Sequence, residues 1–285
     1  MDSETPNSSK ETPHRLSVVI PSYNDGRFIR DAIASVEVLP GELYEIIIVN
    51  DGSPEEFTLK VIADLEDAGY HIIHQANKGL GGARNAGVAA AKGEYILPLD
   101  TDNKIRADFI MRALQILDER PDISMVHGDF QYFGETNTLA RIPPFDIKKM
   151  LRRNYIDACA VYRRSMWEAC GGYDEQLPVM GLEDWDLWLN AYTKGFKFLH
   201  LDMIAFDYAH RLDSMFSNLR KEENWRASEE YIYKKYVSLL KEHYHDYERW
   251  DYHGGELRRR PIRTLFRLFT NAYYKRLHNR IYKVF

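Results

Sequence analysis

Two aspartates separated by one residue, Asp100 and Asp102, are candidates for holding a metal ion. In an extended segment this spacing points both carboxylates to the same side, where they can share one hard cation such as Mg²⁺ or Mn²⁺. On spacing alone, ordinary turn chemistry after a strand is the commoner explanation of the pair. An EF-hand loop is excluded, because Lys104 and Ile105 stand where that loop needs a ligand and a glycine.

Polar groups elsewhere in the first half are suited to binding a nucleotide. Tyr23 offers a ring for stacking, and Asp51, which precedes Gly52, can accept hydrogen bonds from a base or a ribose. The segment 79–87 is rich in glycine and carries Arg84, which suits a phosphate at a helix N-terminus. It does not match a dinucleotide fingerprint or a P-loop. Simple packing, an Asp-Gly turn and a tightly packed helix end remain open as alternative interpretations.

Short apolar runs that alternate with helical periods would position these groups. The runs are 16–20, 44–49, 71–74 and 94–99, and the helical stretches are 27–38, 55–68, 80–92 and 106–119. This alternation predicts an α/β fold with a mostly parallel, Rossmann-like sheet and helices on both faces. The carboxyl ends of parallel strands lie along one edge, so we expect the candidate residues to meet there.

The second half has a different pattern, which predicts an α+β arrangement. We expect a hairpin-like stretch over 123–133, a strand over 158–162, a helix over 182–193 and mostly helix beyond residue 219. Glu183 and Asp184 fall in the first turn of the predicted helix 182–193. The helix dipole explains acidic residues there, and it also favours the ionised carboxylate that a general base requires.

Composition limits the class of protein. Hydrophobic residues make up 45% of the chain and charged residues 28%, as in globular proteins. There is no apolar run long enough for a membrane span and no apolar signal-peptide core, so we expect a cytoplasmic protein. Residues 1–14 are polar without periodicity, which predicts a disordered lead-in. Cys159 and Cys170 fit neither a disulfide framework nor a zinc site.

The charge is unevenly distributed. Residues 258–285 hold nine Lys or Arg and no Asp or Glu, so a net charge of −5 becomes −14 for residues 1–257. The acidic body argues against nucleic-acid binding. The tail has apolar residues at helical spacing, which predicts a basic amphipathic helix. We expect this helix to bind an anionic membrane surface, which would be the inner face of the membrane. The alternative is that it packs on the catalytic domain or on a second subunit in a homodimer.

Six motifs in order along the chain carry a family resemblance. They are Val19-Ile20-Pro21-Ser22-Tyr23-Asn24, Val49-Asn50-Asp51-Gly52-Ser53, Asn77-Lys78-Gly79 with Ala83-Arg84-Asn85-Ala86-Gly87, Leu99-Asp100-Thr101-Asp102, Gly171-Gly172-Tyr173-Asp174-Glu175 and Glu183-Asp184-Trp185-Asp186-Leu187-Trp188. Each motif alone is weakly specific, but together they strongly resemble family 2 glycosyltransferases over residues 16–212. The resemblance implies inverting enzymes of the GT-A fold.

The resemblance implies roles for individual residues. Nucleotide binding would fall to Pro21, Tyr23, Asp51, Arg84 and Asp100. The metal ion, Mn²⁺ or Mg²⁺, would be held by Asp102 with Asp100. Asp184 would be the catalytic base, and the acceptor would meet Gly172, Tyr173, Asp174, Glu183 and Trp185. Family members often place a metal-binding His where this chain has Arg211, and His210 falls one position early, so His210 is the weakest metal candidate.

The resulting functional prediction is transfer of a sugar from a nucleotide diphospho-sugar, most often a UDP-sugar, to a hydroxyl of a glycan or lipid-linked glycan. The predicted organisation is a GT-A domain over 15–218, with a nucleotide-sugar half (15–105) and an acceptor half (106–218), and a helical extension over 219–285. A binding module without catalysis and a sugar nucleotidyltransferase remain alternatives. The second lacks support, since no Gly-rich triphosphate loop follows the first strand.

Overall fold

The computed structural model describes residues 14–211 and 225–245. The strands are β1 (Leu16–Ser22), β2 (Tyr44–Asp51), β3 (His71–Gln75), β4 (Tyr95–Pro98), β5 (Lys104–Ile105), β6 (Ile123–Gly134), β7 (Leu139–Ala140), β8 (Val161–Arg163) and β9 (Lys197–His210). The helices are α1 (Gly26–Val36), α2 (Glu56–Asp67), α3 (Gly79–Ala90), α4 (Ala107–Glu119), α5 (Ile147–Met150), α6 (Arg164–Cys170), α7 (Glu183–Thr193), α8 (Trp225–Lys235) and α9 (Val237–His245). Within these residues no helix is long and apolar enough to cross a membrane.

The first half forms the parallel part of the sheet, in the order β3-β2-β1-β4. Alternate residues of its central strands enter two cores on opposite faces: Val18 and Ile48 pack in one, and Val19 and Val49 in the other. Both faces are therefore covered, which is why these strands read as continuous apolar runs. The four strands and four helices predicted for this half, and the α/β fold class, are confirmed.

Beyond β4 the same sheet continues in the order β8-β6-β9-β5, with β7 paired to β6. All of these strands except β5 come from the second half. The prediction of a hairpin-like stretch over 123–133 is wrong, because these residues lie in one twelve-residue strand, β6. Its main partner is β9, which runs parallel to it from Ile123 to Gly134. The strand at 158–162 begins at Val161, and the helix at 182–193 is confirmed as α7.

Helix α8 is attached to the rest of the fold by charged groups. Lys235 Nζ lies 2.6 Å from Asp174 Oδ2 and 2.9 Å from Asp186, whose side chain is 1% exposed. The hydroxyl of Tyr231 donates to Asp174 at 2.8 Å, and that of Tyr236 lies 3.0 Å from Asp186 Oδ1. Helices α8 and α9 lie within the range 219–285 that was expected to be mostly helical. The lead-in over 1–13 and the basic tail over 258–285 lie outside the described residues.

We expect Lys235→Met to lower the free energy of unfolding by about 2 kcal/mol, because Asp186 is left buried without its cation. Chemical denaturation of the full chain measures the change. Lys234→Met is the matched control, since Lys234 is 56% exposed and its ion pair among the described residues lies within α8, with Glu230. An exposed pair of this kind contributes about 0.5 kcal/mol. Equal losses in the two variants would contradict the attachment of α8 through Lys235.

Candidate active site at the carboxyl edge of the sheet

A cavity of about 650 Å³ opens at the carboxyl ends of the parallel strands. Five of the predicted donor-site residues line it: Pro21, Tyr23, Asp51, Asp100 and Asp102. Side chains without an assigned role from the sequence line it as well, namely Asn24, Asp25, Met180, Tyr208 and Arg211. The topology therefore brings together motifs from β1, from β2, from the start of α3 and from the segment after β4.

Hydrogen bonds connect the two loops that follow β1 and β2. The amide of Asn24 donates to Ser53 Oγ at 3.1 Å, and Asn24 Oδ1 accepts from the amide of Glu55 at 3.2 Å. Asn24 has a φ of 57°, a left-handed conformation that asparagine tolerates better than most residues. The Asn in the Pro-Ser-Tyr-Asn motif thus fixes the rim of the cavity.

Asp51 is buried at the base of the cavity. Its Oδ1 accepts from Gln75 Nε2 at 2.7 Å and from the amide of Lys78 at 2.8 Å. Gly52, with a φ of 71°, lets the chain turn directly behind it, since a Cβ there would lie 2.7 Å from the amide nitrogen of Asn77. Both described hydrogen bonds of the carboxylate end on Oδ1, so Oδ2 is the atom suited to a ligand.

Arg84 is almost fully buried and bridges the two halves of the site. Its guanidinium donates to Asp100 Oδ1 at 2.8 Å and to Glu183 Oε1 at 2.9 Å. Glu183 is 4% exposed at its side chain, whereas Asp100 is 34% exposed. Arg84 does not line the cavity, so its geometry is that of a positioning residue joining the donor edge to α7.

Three carboxylates face one part of the cavity: Asp25, Asp100 and Asp102. Burial raises the pKa of Asp102 to about 7, and the neighbouring charge of Asp100 adds to the effect, while Arg211 opposes it. Burial also raises the pKa of Asp25. Arg211 contacts two of the three, with a nitrogen 3.0 Å from Asp102 Oδ2 and 3.5 Å from Asp25 Oδ1.

The donor chemistry of this carboxylate cluster fits Mg²⁺ or Mn²⁺, because the cluster offers hard oxygen ligands and excess negative charge. Among residues 14–211 and 225–245 there is no group of three His, Cys, Asp or Glu arranged to hold a metal. The protein would therefore supply one or two carboxylates, and substrate phosphates and water would complete the coordination. Asp102 and Asp100 are the residues placed to do so.

Asp184 lies in the first turn of α7 and is not among the residues that line the cavity. Its Oδ2 accepts from Asn154 Nδ2 and its Oδ1 from the amide of Trp185, both at 2.8 Å. Burial raises the pKa of Asp184, and the neighbouring charges of Glu183 and Asp157 raise it further. Asp157 was missed by the sequence reasoning. Its own pKa is raised to about 6, mainly by burial, and no local motif marks it.

The predicted acceptor residues lie in α7 or in the segment that precedes it, and four of the five are buried. Trp185 is 1% exposed and donates from Nε1 to the carbonyl of Met150 at 2.7 Å. Tyr173, 2% exposed, pairs with the hydroxyl of Tyr162 at 3.1 Å. A Cβ at Gly172 would lie 2.7 Å from Asn85 Oδ1, Asp174 is bonded to α8, and Glu183 accepts from Arg84 and from the amide of Gly181. Their part in acceptor binding stays a prediction.

Asn85 is a second residue that the sequence reasoning left without a role. Its Oδ1 accepts from the amide of Tyr173 at 2.8 Å, and its Nδ2 donates to the carbonyl of Tyr173 at 2.9 Å. This two-sided contact holds the Gly-Gly-Tyr-Asp segment against α3. The Asn that follows Arg84 in the motif would have been the available signal.

His210 and Arg211 are adjacent in sequence but have different surroundings. The ring of His210 packs edge-on against Tyr132 at 5.7 Å, and His210 is not among the lining residues. Arg211 lines the cavity and contacts Asp102. The geometry therefore favours Arg211 over His210 as the group that acts on the carboxylates.

Comparison with curated proteins places this geometry in a family context. EpsH of Bacillus subtilis (strain 168) is 31% identical over 172 residues, covering 56% of this chain and 49% of that protein. The succinoglycan biosynthesis protein ExoO of Rhizobium meliloti (strain 1021) is 30% identical over 151 residues, covering 50% and 43%. The chain thus matches about half or less of the length of these relatives.

Solved structures share the fold. S. aureus TarS 1–349 in complex with UDP-GlcNAc has a TM-score of 0.60 at 19% identity, over 71% of this chain and 60% of that one. The mannosyltransferase PcManGT from Pyrobaculum calidifontis, in complex with GDP-Man and Mn²⁺, has a TM-score of 0.59 at 16% identity, over 80% and 66%. These neighbours are GT-A glycosyltransferases, which agrees with the predicted fold.

The family model described as glycosyl transferase family 2 matches residues 17–170. This span includes the four strand-end motifs that build the cavity, from Pro21 to Asp102. The glycosyltransferase class predicted from the sequence is thereby confirmed at the level of the family. The chain belongs to glycosyl transferase family 2.

Proposed function

We propose that this chain is an inverting glycosyltransferase that moves a sugar from a UDP-sugar to a hydroxyl of a glycan or lipid-linked glycan. The observation that carries the proposal is the cavity at the carboxyl edge, where Tyr23, Asp51, Asp100 and Asp102 meet. A nucleotide diphosphate with a cation requires a ring that stacks on the base, a buried hydrogen-bond acceptor and two carboxylates. The relative named as a succinoglycan biosynthesis protein, ExoO, supports a glycan acceptor.

The diphosphate end of the donor has two sources of positive potential. The N-terminus of α3 borders the cavity through Gly79, Leu80 and Ala83, and its amides favour an anion. Arg211, which also lines the cavity, adds a guanidinium. A divalent cation at Asp102, when bound, supplies further charge to the leaving diphosphate. The chain's own contribution is to bind and orient the phosphates between α3 and Arg211.

Asp184 is the residue we assign as general base. It takes the proton from the acceptor hydroxyl while that oxygen forms a bond to the anomeric carbon and the bond to the diphosphate oxygen breaks. Attack from the face opposite the leaving group inverts the configuration. The Asp100–Arg84–Glu183 chain of ion pairs fixes α7, and with it Asp184, relative to the donor edge.

A test of the donor site uses thermal stabilisation of the full chain by UDP, GDP and dTDP, each with and without Mn²⁺. We expect UDP to give the largest shift. Asp51→Asn should weaken UDP binding by about tenfold to a hundredfold, because an amide NH₂ replaces an oxygen that accepts from the base. Asp122→Asn, an exposed aspartate paired with Arg120, is the matched control and should bind UDP normally.

The outcomes separate the alternatives. If Asp51→Asn binds UDP as tightly as the wild type does, the assignment of Asp51 to the base site is contradicted. A transferase releases nucleoside diphosphate from a panel of nucleotide-sugar donors. A nucleotidyltransferase would instead release pyrophosphate from a sugar phosphate and a nucleoside triphosphate. Binding without turnover would indicate a binding module. A cytoplasmic location, and a membrane or homodimer contact through the basic tail, stay predictions.

A further inference from the structure

Arg211 occupies a position in the site that a bound cation would also need. Its guanidinium lies 3.0 Å from Oδ2 of Asp102 and 3.5 Å from Oδ1 of Asp25. It also lies over the ring of Phe28 at 4.2 Å from the ring centre. The side chains of Arg211 and Asp102 are 18% and 17% exposed, so the pair is largely shielded from water.

The two carboxylates that Arg211 contacts belong to the cluster suited to a divalent cation. Oδ2 of Asp102 is one of the two oxygens through which that residue can ligate a metal. A guanidinium and a divalent cation on the same carboxylate repel each other strongly, the more so where water is scarce. Occupation of Asp102 by one cation therefore disfavours the other.

We propose that Arg211 is a resident counter-cation of Asp102 and Asp25, which competes with a divalent metal until a nucleotide diphosphate takes over the guanidinium. The last step rests on the proposed function, since it requires a diphosphate ligand. A guanidinium forms charge-assisted hydrogen bonds to phosphate as it does to carboxylate, so a diphosphate can replace Asp102 and Asp25 as the partner of Arg211. The consequence is that metal and nucleotide enter together, and the metal alone binds weakly.

The competition is tested with Mn²⁺ alone, by following the paramagnetic resonance signal of free Mn²⁺ during titration of the full chain. We expect Arg211→Gln to bind Mn²⁺ about tenfold more tightly than the wild type, because the competing charge is gone. Arg211→Lys should bind it as weakly as the wild type, within about threefold. Arg106→Gln is the matched control, an arginine paired with Asp207 at 2.7 Å, and it should leave Mn²⁺ affinity unchanged.

A further variant keeps every charge and guards against loss of folding in Arg211→Gln. Phe28→Leu removes the ring face under the guanidinium while keeping an apolar side chain. It should tighten Mn²⁺ binding by about threefold. Circular dichroism and thermal unfolding establish that each variant is folded before the titration is interpreted.

The outcomes distinguish this inference from the proposed function. Mn²⁺ binding that is unchanged or weaker in Arg211→Gln and in Phe28→Leu overturns the counter-cation role, even if UDP binds well. Tighter Mn²⁺ binding in both variants, with no stabilisation of the wild type by any nucleotide diphosphate, supports the competition and contradicts the nucleotide-sugar function. A wild type that binds Mn²⁺ alone as tightly as Arg211→Gln also overturns the inference.

Discussion

Asp184→Asn is expected to lower the rate of sugar transfer by about 10³-fold, because asparagine cannot accept the proton of the acceptor hydroxyl. Donor binding should be nearly unchanged, since Asp184 does not line the donor cavity. The amide has the size of the carboxylate and can still accept from the amide of Trp185. Turnover is measured as release of nucleoside diphosphate, and donor binding as thermal stabilisation by UDP.

The pH dependence gives an independent check on Asp184. Burial raises its pKa above the ordinary value of 3.8, so the folded protein binds this proton more tightly than the unfolded chain. The stability that the group contributes is present at low pH and is lost as the pH rises from about 4 through the folded pKa. The unfolding temperature of the wild type should therefore fall relative to Asp184→Asn as the pH rises, while wild-type turnover increases.

The control for this experiment is Asp108→Asn. Asp108 lies in the first turn of α4, as Asp184 lies in the first turn of α7, but it is exposed. It shares the helix-dipole effect without the burial. Asp108→Asn should leave turnover and the pH dependence of unfolding as in the wild type. Turnover close to the wild-type rate in Asp184→Asn would remove Asp184 from the role of base.

Arg84→Met is expected to lower the free energy of unfolding by about 3–5 kcal/mol, because it leaves the side chain of Glu183 buried without its partner. Methionine fills much of the volume of the arginine stem, so the loss reports the charge and its hydrogen bonds rather than a large cavity. Denaturant unfolding monitored by tryptophan fluorescence measures the change. Turnover should also fall, since α7 loses its link to Asp100.

A double variant separates the positioning role from direct contact with the donor. Arg84→Met combined with Glu183→Gln should recover part of the lost stability, because the stranded carboxylate is removed. Arg30→Met is the control for loss of an ion pair, since Arg30 and Asp64 are about half exposed and contribute less than about 1 kcal/mol. Normal stability with lost UDP binding in Arg84→Met would instead favour the donor contact implied by the family resemblance.

Much of the donor half could be predicted from local pattern. Continuous apolar runs identified the central strands, because both faces of a parallel sheet are buried. The residues that follow those strands could be assigned to one edge without knowing any side-chain contact, since parallel strands end together. Tyr23, Asp51, Asp100 and Asp102 accordingly line one cavity, as expected.

The error in the second half has a physical cause. Residues 123–133 alternate and contain turn-forming residues, so local pattern favours a hairpin. Their pairing is decided by β9, a strand more than sixty residues away, which is paired with β6 as far as Gly134 and His210. Pairing with a distant strand stabilises an extended conformation that local propensity leaves open.

The sequence by itself determined the fold class, the family and five of the residues that line the donor edge. Tertiary structure alone decided that Arg84 pairs with both Asp100 and Glu183, although Arg84 and Glu183 are 99 residues apart in the chain. It also decided that Arg211 contacts Asp102. It also brought Asp157, which no motif marks, close enough to raise the pKa of Asp184. Periodicity and motif spacing depend on neighbours in the chain, whereas ion pairs and shifted pKa values depend on which distant groups share a buried, poorly solvated space.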